Sequence, residues 1–438
     1  MFFMKRSLLI ATAIFTASIT ATLAAPKNII LLIGDGMGEA EIAVTRAYAF
    51  DGDAGLYVDE MKDRGSVIVK QLMVDDPTKI EFTGESASGG TTLSTGNRTS
   101  AGRVAVSAFD GNHYKTILEE VQERGYKTGL VTTSIITDAT PASFAAHAQN
   151  RYCFVKGAKA CSQFADTPIV DQMLDHNVDV MLGGGKNLLP GTAVQGGSVE
   201  QKAKGLGYTV VTEREDLIKL AVGTKTFGVF SNGHLPTEWV GPGGKGADFL
   251  EVNGNREVIF PKPAACEINP AHAGIPKLEE MSKYAIDNLR VGGHGFFLVI
   301  EGASIDKAAH VSNPCGTIGE MLAFDRTVKM AVDYAKELGD TAVIVTADHG
   351  QSTQVIYKPE TYDGSPIRRD LIPGFYQSLL TRGGHELGVY YGTNNINDQS
   401  HTGVNVPVLT YGMDNAEDLT GVIQQTEIYP AMKKFLFN

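Results

Sequence analysis

Short apolar runs recur along the chain without the polar alternation of a half-exposed strand, and each is bounded by Gly, Asp, Asn or Ser. Such runs predict strands covered on both faces. They fall at Asn28 to Ile33, Thr128 to Thr133, Val178 to Leu182, Tyr208 to Val211, Thr226 to Phe230, Phe296 to Ile300, Ala342 to Thr346, Gly388 to Tyr391 and Val406 to Tyr411. Between them lie stretches with helical spacing, among them Thr116 to Arg124, Pro141 to Arg151, Leu278 to Leu289, Gly316 to Leu338 and Thr426 to Phe435. Strands that alternate with helices predict a three-layer α/β/α sandwich with a large, mostly parallel central sheet. The Gly-rich run from Gly241 to Gly246, the stretch from Pro261 to Pro276 and the connection from Tyr357 to Gly384 read as surface insertions, so residues 25–438 are expected to form one domain.

Several of these runs end in chemistry. The strand ending at Ile300 leads through Glu301 into Ser304-Ile305-Asp306-Lys307-Ala308-Ala309-His310, where a helix opening after Ser304 puts Asp306 and His310 on one face. Polar groups at the carboxyl end of a buried strand line the crevice where open α/β sheets bind ligands. Asp35, inside Gly34-Asp35-Gly36-Met37-Gly38, and the pair Asp348 and His349 occupy the same kind of position after two other strands. Alone, Asp35 is equally an ordinary Asp-Gly turn, and Asp348 with His349 is equally a hydrogen-bonded structural pair. His401 lies in a polar loop before the strand Val406 to Tyr411.

A candidate nucleophile comes from Thr83 to Gly96, a stretch dominated by small and hydroxylic residues in which Ser86 is placed to begin a helix, where an anion is favoured. No G-x-S-x-G surrounds it, so activation by a metal is expected rather than by a Ser-His-Asp triad. Asp138-Ala139-Thr140-Pro141 leads into a predicted helix on which His147 and Arg151 fall four apart. Arg151 either grips phosphate through its planar fork or caps that helix beside Cys153.

Composition narrows the setting. Lys5 and Arg6 precede an apolar stretch from Leu8 to about Ile19 that ends in small residues, the pattern of a signal peptide cut after Ala24. The later sequence offers no apolar run long enough to span a bilayer. The net charge of −12 becomes −14 once Lys5 and Arg6 leave, which argues against general nucleic-acid binding. Four cysteines in an exported chain permit three pairings; Cys153 with Cys161 and Cys266 with Cys315 is preferred, because the first two share one loop-like stretch. Zinc ligation by these cysteines is disfavoured, since they form no C-x-x-C.

Taken in order, Gly34 to Gly38, Glu85-Ser86-Ala87-Ser88, Asp138 to Pro141, His147 with Arg151, Glu301 to Lys307, Thr346 to His349 and His401-Thr402-Gly403 resemble the alkaline phosphatase family, in particular its bacterial periplasmic members. The resemblance spans the mature chain. It implies that the chain is a phosphate monoester hydrolase with two zinc ions and one magnesium ion, secreted or periplasmic, and a homodimer. One zinc falls on Asp306, His310 and His401, and a second on Asp35, Asp348 and His349 facing Ser86, which carries a phosphoserine intermediate. Asp35, Thr140 and Glu301 hold the magnesium; Asp138 and Lys307 act through water, and Arg151 holds the phosphate oxygens. Two positions depart from the family pattern: Glu85 stands where Asp is usual, and Gly350-Gln351 where a histidine often follows. The alternatives are a phosphodiesterase or sulfatase of related architecture, or a non-catalytic zinc- or phosphate-binding protein. A sulfatase requires a C-x-P-x-R or S-x-P-x-R segment, which Ser86 to Gly90 does not supply.

Overall fold

A ten-stranded sheet dominates the computed structural model, which describes residues 27–250, 260–356 and 374–437. The expected signal segment, and residues 357–373 of the connection after Tyr357, lie outside the described residues. From edge to edge the strands are Gly421–Gln424, Asp63–Ile68, Val406–Tyr411, Thr341–Thr346, Asn28–Gly34, Phe296–Gly302, Lys127–Ile135, Val180–Gly184, Thr226–Val229 and Thr209–Val211. Val406–Tyr411 alone runs against the others. The middle strands are buried on both faces, as Ile29 to Ile33 and Phe296 to Ile300 show at no more than 1% exposure. One group of helices, Glu39–Phe50, Leu278–Leu289 and Pro314–Leu338, packs together against the sheet; Ser86–Thr95, Ala139–Ala145 and Ile428–Phe437 belong to a second group.

Register decides where the chemistry sits. Ile33 is level with Glu301 on one neighbour and with Thr346 on the other, and Glu301 is level with Thr132. Asp35, Glu301 and Asp348 therefore leave three adjacent parallel strands at one carboxyl edge, the place where such sheets bind ligands.

Two sequence expectations are corrected. Gly388 to Tyr391 is a strand, but it belongs to Glu386–Tyr391 in a separate four-stranded sheet with Asp248–Phe249, Phe375–Leu380 and Gln354–Ile356. The predicted helix from Pro141 to Arg151 ends at Ala145, and Ala146 is already extended. The Ala-rich sequence favours continuation, yet tertiary bonds win: Val104 and Ala148 exchange backbone hydrogen bonds of 2.8 and 2.9 Å. The Gln172 side chain also accepts from the His147 N–H at 2.9 Å and donates to its carbonyl at 2.8 Å. Arg151 thus caps no helix, and His147 does not share a helical face with it.

One buried carboxyl gives the fold a pH signature. Glu320, 4% exposed on the helix Pro314–Leu338, accepts a 2.8 Å hydrogen bond from the Glu238 N–H. Burial pushes its pKa from 4.5 to about 8. The unfolded chain releases this proton first, so stability present below pH 4.5 is lost as pH rises toward 8. Glu320→Gln keeps an oxygen for the Glu238 N–H and removes the ionisation. It is expected to raise the melting temperature at pH 9 relative to the parent and to flatten the decline between pH 5 and 9 in a calorimetric series.

Candidate metal and phosphate site

Asp35 follows its strand in a turn that only glycine completes. Gly36 has φ +69°, and a Cβ there would fall 2.9 Å from the Cβ of Asp306. The close approach brings two carboxylates from different strand ends together. Asp306 lies on Ser304–His310, the helix expected after Ser304, and His310 closes its last turn.

Around Asp306 the structure assembles a trio. His310 Nε2 lies 3.3 Å from one carboxylate oxygen, His401 Nε2 lies 3.3 Å from the other, and the two nitrogens are 3.0 Å apart. Each ring spends its other nitrogen on a carbonyl: His310 Nδ1 faces Gln399 O at 2.5 Å and His401 Nδ1 faces Gly84 O at 2.9 Å. A carbonyl only accepts, so Nδ1 carries the proton and the Nε2 lone pairs point at each other and at a carboxylate. Three acceptors converging in this way are a group able to hold a cation. In the absence of an ion a proton on Nε2 turns these contacts into hydrogen bonds: burial opposes the charge on Asp306, but such bonds from His310 and His401 outweigh it and hold the carboxyl well below the usual range.

A second set surrounds His349, which is fully buried. Its Nδ1 faces the Gly350 carbonyl at 3.2 Å, while Nε2 lies 3.3 Å from Asp35, 3.4 Å from Asp348 and 3.2 Å from Ser86 Oγ. Ser86 Oγ is also 3.4 Å from Asp35 Oδ1. Ser86 is the first residue of the helix Ser86–Thr95, whose backbone is drawn against Asp348 by Gly89: a Cβ at that position would meet Asp348 at 2.8 Å. The two sets adjoin, because ligand atoms of Asp35, Asp306 and His349 lie within 4.8 Å of one another.

The remaining predicted residues flank this centre. The Glu301 carboxylate takes hydroxyl hydrogen bonds from Thr132 and, at 3.3 Å, from Ser134. Burial, and then the charge of Asp35, raise its pKa to about 7. Asp348 is raised as well, by burial and by Asp35, Asp306 and Glu301. Carboxylates that oppose each other's ionisation in a buried space call for cations. Among the candidate ligand atoms, Thr140 Oγ1 and Asp348 Oδ2 are buried without a hydrogen-bond partner among the described residues. The donor set fits the implied ions: histidine and aspartate suit zinc, carboxylate and hydroxyl suit magnesium.

On the next flank, Arg151 bonds Glu85 through Nη1 and Asp138 through Nη2 at 2.9 Å. Lys307 Nζ lies 2.9 Å from Asp138 and 4.0 Å from Asp35. Burial works against every charge in this chain of pairs, but Lys307 and Arg151 outweigh it for Asp138, whose carboxyl is held far below its ordinary value. Glu85 caps the helix by accepting from the Ser88 N–H at 3.3 Å, and the same oxygen accepts from the Gly102 N–H at 2.9 Å. The longer side chain therefore still reaches both the helix and the arginine.

Four contributors escaped sequence reading. Gln351 Nε2 donates to Asp306 Oδ1 at 2.9 Å, so the residue at the second departure from the family pattern steadies a candidate ligand. Thr132 and Ser134 serve Glu301, and their spacing by two on a strand was a legible sign of a shared face. His234 stands 3.8 Å from Asp138 and arrives from a loop with no local pattern. The cysteines lie as preferred, with S–S separations of 2.06 Å for Cys153 with Cys161 and 2.02 Å for Cys266 with Cys315.

Known proteins resemble this chain over most of its length. The family model for alkaline phosphatase matches residues 26–368. The chain is 35% identical to the alkaline phosphatase of Escherichia coli over 428 residues, covering 94% of this chain and 86% of that protein. It is 37% identical to the streptomycin-6-phosphate phosphatase of Streptomyces griseus, covering 96% and 93%. Among solved structures, a magnesium-bound variant of the alkaline phosphatase from the Antarctic bacterium TAB5 is 26% identical, with a TM-score of 0.67 over 94% of this chain and 98% of that one. These findings and the donor sets above point to metal cofactors.

Proposed function

The chain belongs to the alkaline phosphatase family and is a phosphate monoester hydrolase, and on that premise we propose that it works by transient phosphorylation of Ser86, with two zinc ions and one magnesium ion. In this reading Asp306, His310 and His401 hold one zinc, Asp35, Asp348 and His349 the other, and Asp35, Thr140 and Glu301 the magnesium. The observation that carries it is the Ser86 hydroxyl, 3.2 Å from His349 Nε2 and 3.4 Å from Asp35 at a helix N-terminus. A storage protein needs no nucleophile there.

Bound divalent ions supply charge neutralisation at the attacking and leaving oxygens of an in-line displacement. Ser86 Oγ gives up its proton to solvent and bonds to phosphorus as the ester P–O bond breaks; the alcohol oxygen leaves with the electron pair and takes up a proton. Water then loses a proton and attacks phosphorus from the side that the alcohol vacated, the P–Oγ bond breaks with its electron pair on Ser86 Oγ, which takes up a proton, and phosphate departs. The Ser86 position at the N-terminus of Ser86–Thr95 favours the anionic species through the helix dipole. Arg151 offers the N–H groups not bound to Glu85 and Asp138 to two phosphate oxygens, a charge-assisted contact. Asp138 and Lys307 position water beside Asp35.

The substrate class is tested by supplying an aryl phosphate monoester, the matching diester and the matching sulfate to the zinc- and magnesium-loaded protein. The monoester is expected to be cleaved at least about 10²-fold faster than either; a preference for diester or sulfate would move the chain to a related chemistry. Gln351→Ala is expected to weaken zinc binding about 10- to 100-fold, the usual cost of losing a hydrogen bond that orients a ligand. Competition against a chelator reads that shift, and unchanged affinity would show that Gln351 does not steady the site.

The same reading carries export to the periplasm, one catalytic domain over residues 25–438 and a homodimer. Two cysteine pairs at disulfide distance fit an oxidising compartment. Among the described residues no helix is long and apolar enough to cross a membrane.

A further inference from the structure

The lone-pair geometry of the proposed catalytic ligands recurs once more, at residues that the reaction does not use. His147 is 7% exposed, and its Nδ1 faces the Ala105 carbonyl at 3.0 Å. That carbonyl fixes the proton on Nδ1 and leaves the Nε2 lone pair aimed at Glu119 Oε1, 3.1 Å away. Glu119 cannot turn aside, because its other oxygen accepts from the Thr116 N–H at 2.8 Å in a helix capping box. His176 Nε2 approaches the same Oε1 at 3.8 Å, and the three ligand atoms lie within 4.8 Å of one another.

We propose that Glu119, His147 and His176 form a structural site for a divalent transition ion of the zinc class, separate from the catalytic ligands. The spacing suits it: zinc bonds of about 2.0 to 2.1 Å in a tetrahedron put ligand atoms on the order of 3.4 Å apart. The trio Asp306, His310 and His401, proposed to hold a catalytic zinc, shows 3.3, 3.3 and 3.0 Å. Two neutral imidazoles and one carboxylate are a zinc-type donor set. The carbonyl behind His147 is the outer contact that metal-bound histidines regularly make. The ligands come from three places: the helix Ile117–Gln122, the extended segment after Ala145, and the C-terminal cap of Ile169–Asp175. Gln122 Nε2, on the first of these, donates to the His176 carbonyl at 2.9 Å and holds that cap in place. His113 stacks on His147 with ring centroids 4.3 Å apart, covering one side. An ion here would join three elements and brace the segment that, four residues on, presents Arg151.

The rival occupant is a proton shared between His147 and Glu119, and the test separates the two. The chelator-stripped full chain is reloaded with zinc, passed through gel filtration and analysed for metal per chain, beside Glu119→Gln and His176→Gln. Each variant is expected to bind one ion fewer than the parent while keeping its circular dichroism and its catalytic zinc. Folded variants that bind as many ions as the parent would overturn the proposal. Should a variant fail to fold, zinc-soaked crystals of the parent decide the matter. An anomalous peak touching Glu119, His147 and His176 supports the site, and its absence while the catalytic positions are filled overturns it.

Discussion

Ser86→Ala is expected to lower kcat for an aryl phosphate by at least about 10³-fold, with fold and metal content unchanged. The hydroxyl is the sole group lost, since Ser86 is 4% exposed and its helix is capped by Glu85 through Ser88 rather than by Ser86 itself. Its surroundings remain: His349 still faces Asp35 and Asp348 at 3.3 and 3.4 Å. KM should move much less than kcat, because Arg151 and its carboxylate partners are untouched. Steady-state rates beside metal analysis check this, and a variant that retains more than about a tenth of the parent's turnover would remove Ser86 from the reaction.

Stripping the metals is expected to have an effect as large. Without cations the centre holds Asp35, Asp306, Asp348 and Glu301 within one buried space, and turnover should fall by at least about 10³-fold and return on addition of zinc. The stripped protein should also acquire a pH signature. The Asp306 carboxyl is depressed despite burial by its bonds to His310 and His401, so its contribution is present above the unfolded Asp value of 3.8 and is lost as pH falls further. His310 is opposed by burial but raised on balance by Asp306, so its contribution is complete below 6.5 and is lost as pH rises through its elevated pKa. Stability of the stripped form from this trio therefore peaks between those limits. Metal binding needs deprotonated histidines, so the rise in melting temperature on zinc loading should grow from pH 6 to pH 8. Paired calorimetry checks it, and a constant or shrinking increment would show that the trio does not bind the ion.

How far the amino-acid sequence reveals this centre depends on the range of each interaction. Asp35, Glu301, Asp306, Asp348 and His349 follow buried strands directly, and an apolar run with a polar end is a local pattern. His401 sits in a loop, and only a family resemblance placed it; the carbonyl of Gly84 that orients it lies far away in the chain. The edge strand Gly421–Gln424 and its neighbour Asp63–Ile68 were not legible, because residues that face solvent, among them Asp63, Arg64 and Val422, interrupt any apolar run. Pro141 to Arg151 misled for the opposite reason. Its helical propensity is real, but pairing with Val104 and the Gln172 side chain overrides it after Ala145, which frees His147 to face Glu119. Gln351 shows a third case, a departure from a family pattern whose replacement contact exists only in the folded molecule.

The stereochemical course at phosphorus tests the covalent mechanism most directly. With a chirally labelled phosphate monoester and an alcohol acceptor, two successive in-line displacements, the first by Ser86 and the second by the acceptor, each invert the centre. The transferred phosphoryl group is predicted to keep its configuration. Inversion would mean a single direct attack by the acceptor and would contradict phosphorylation of Ser86.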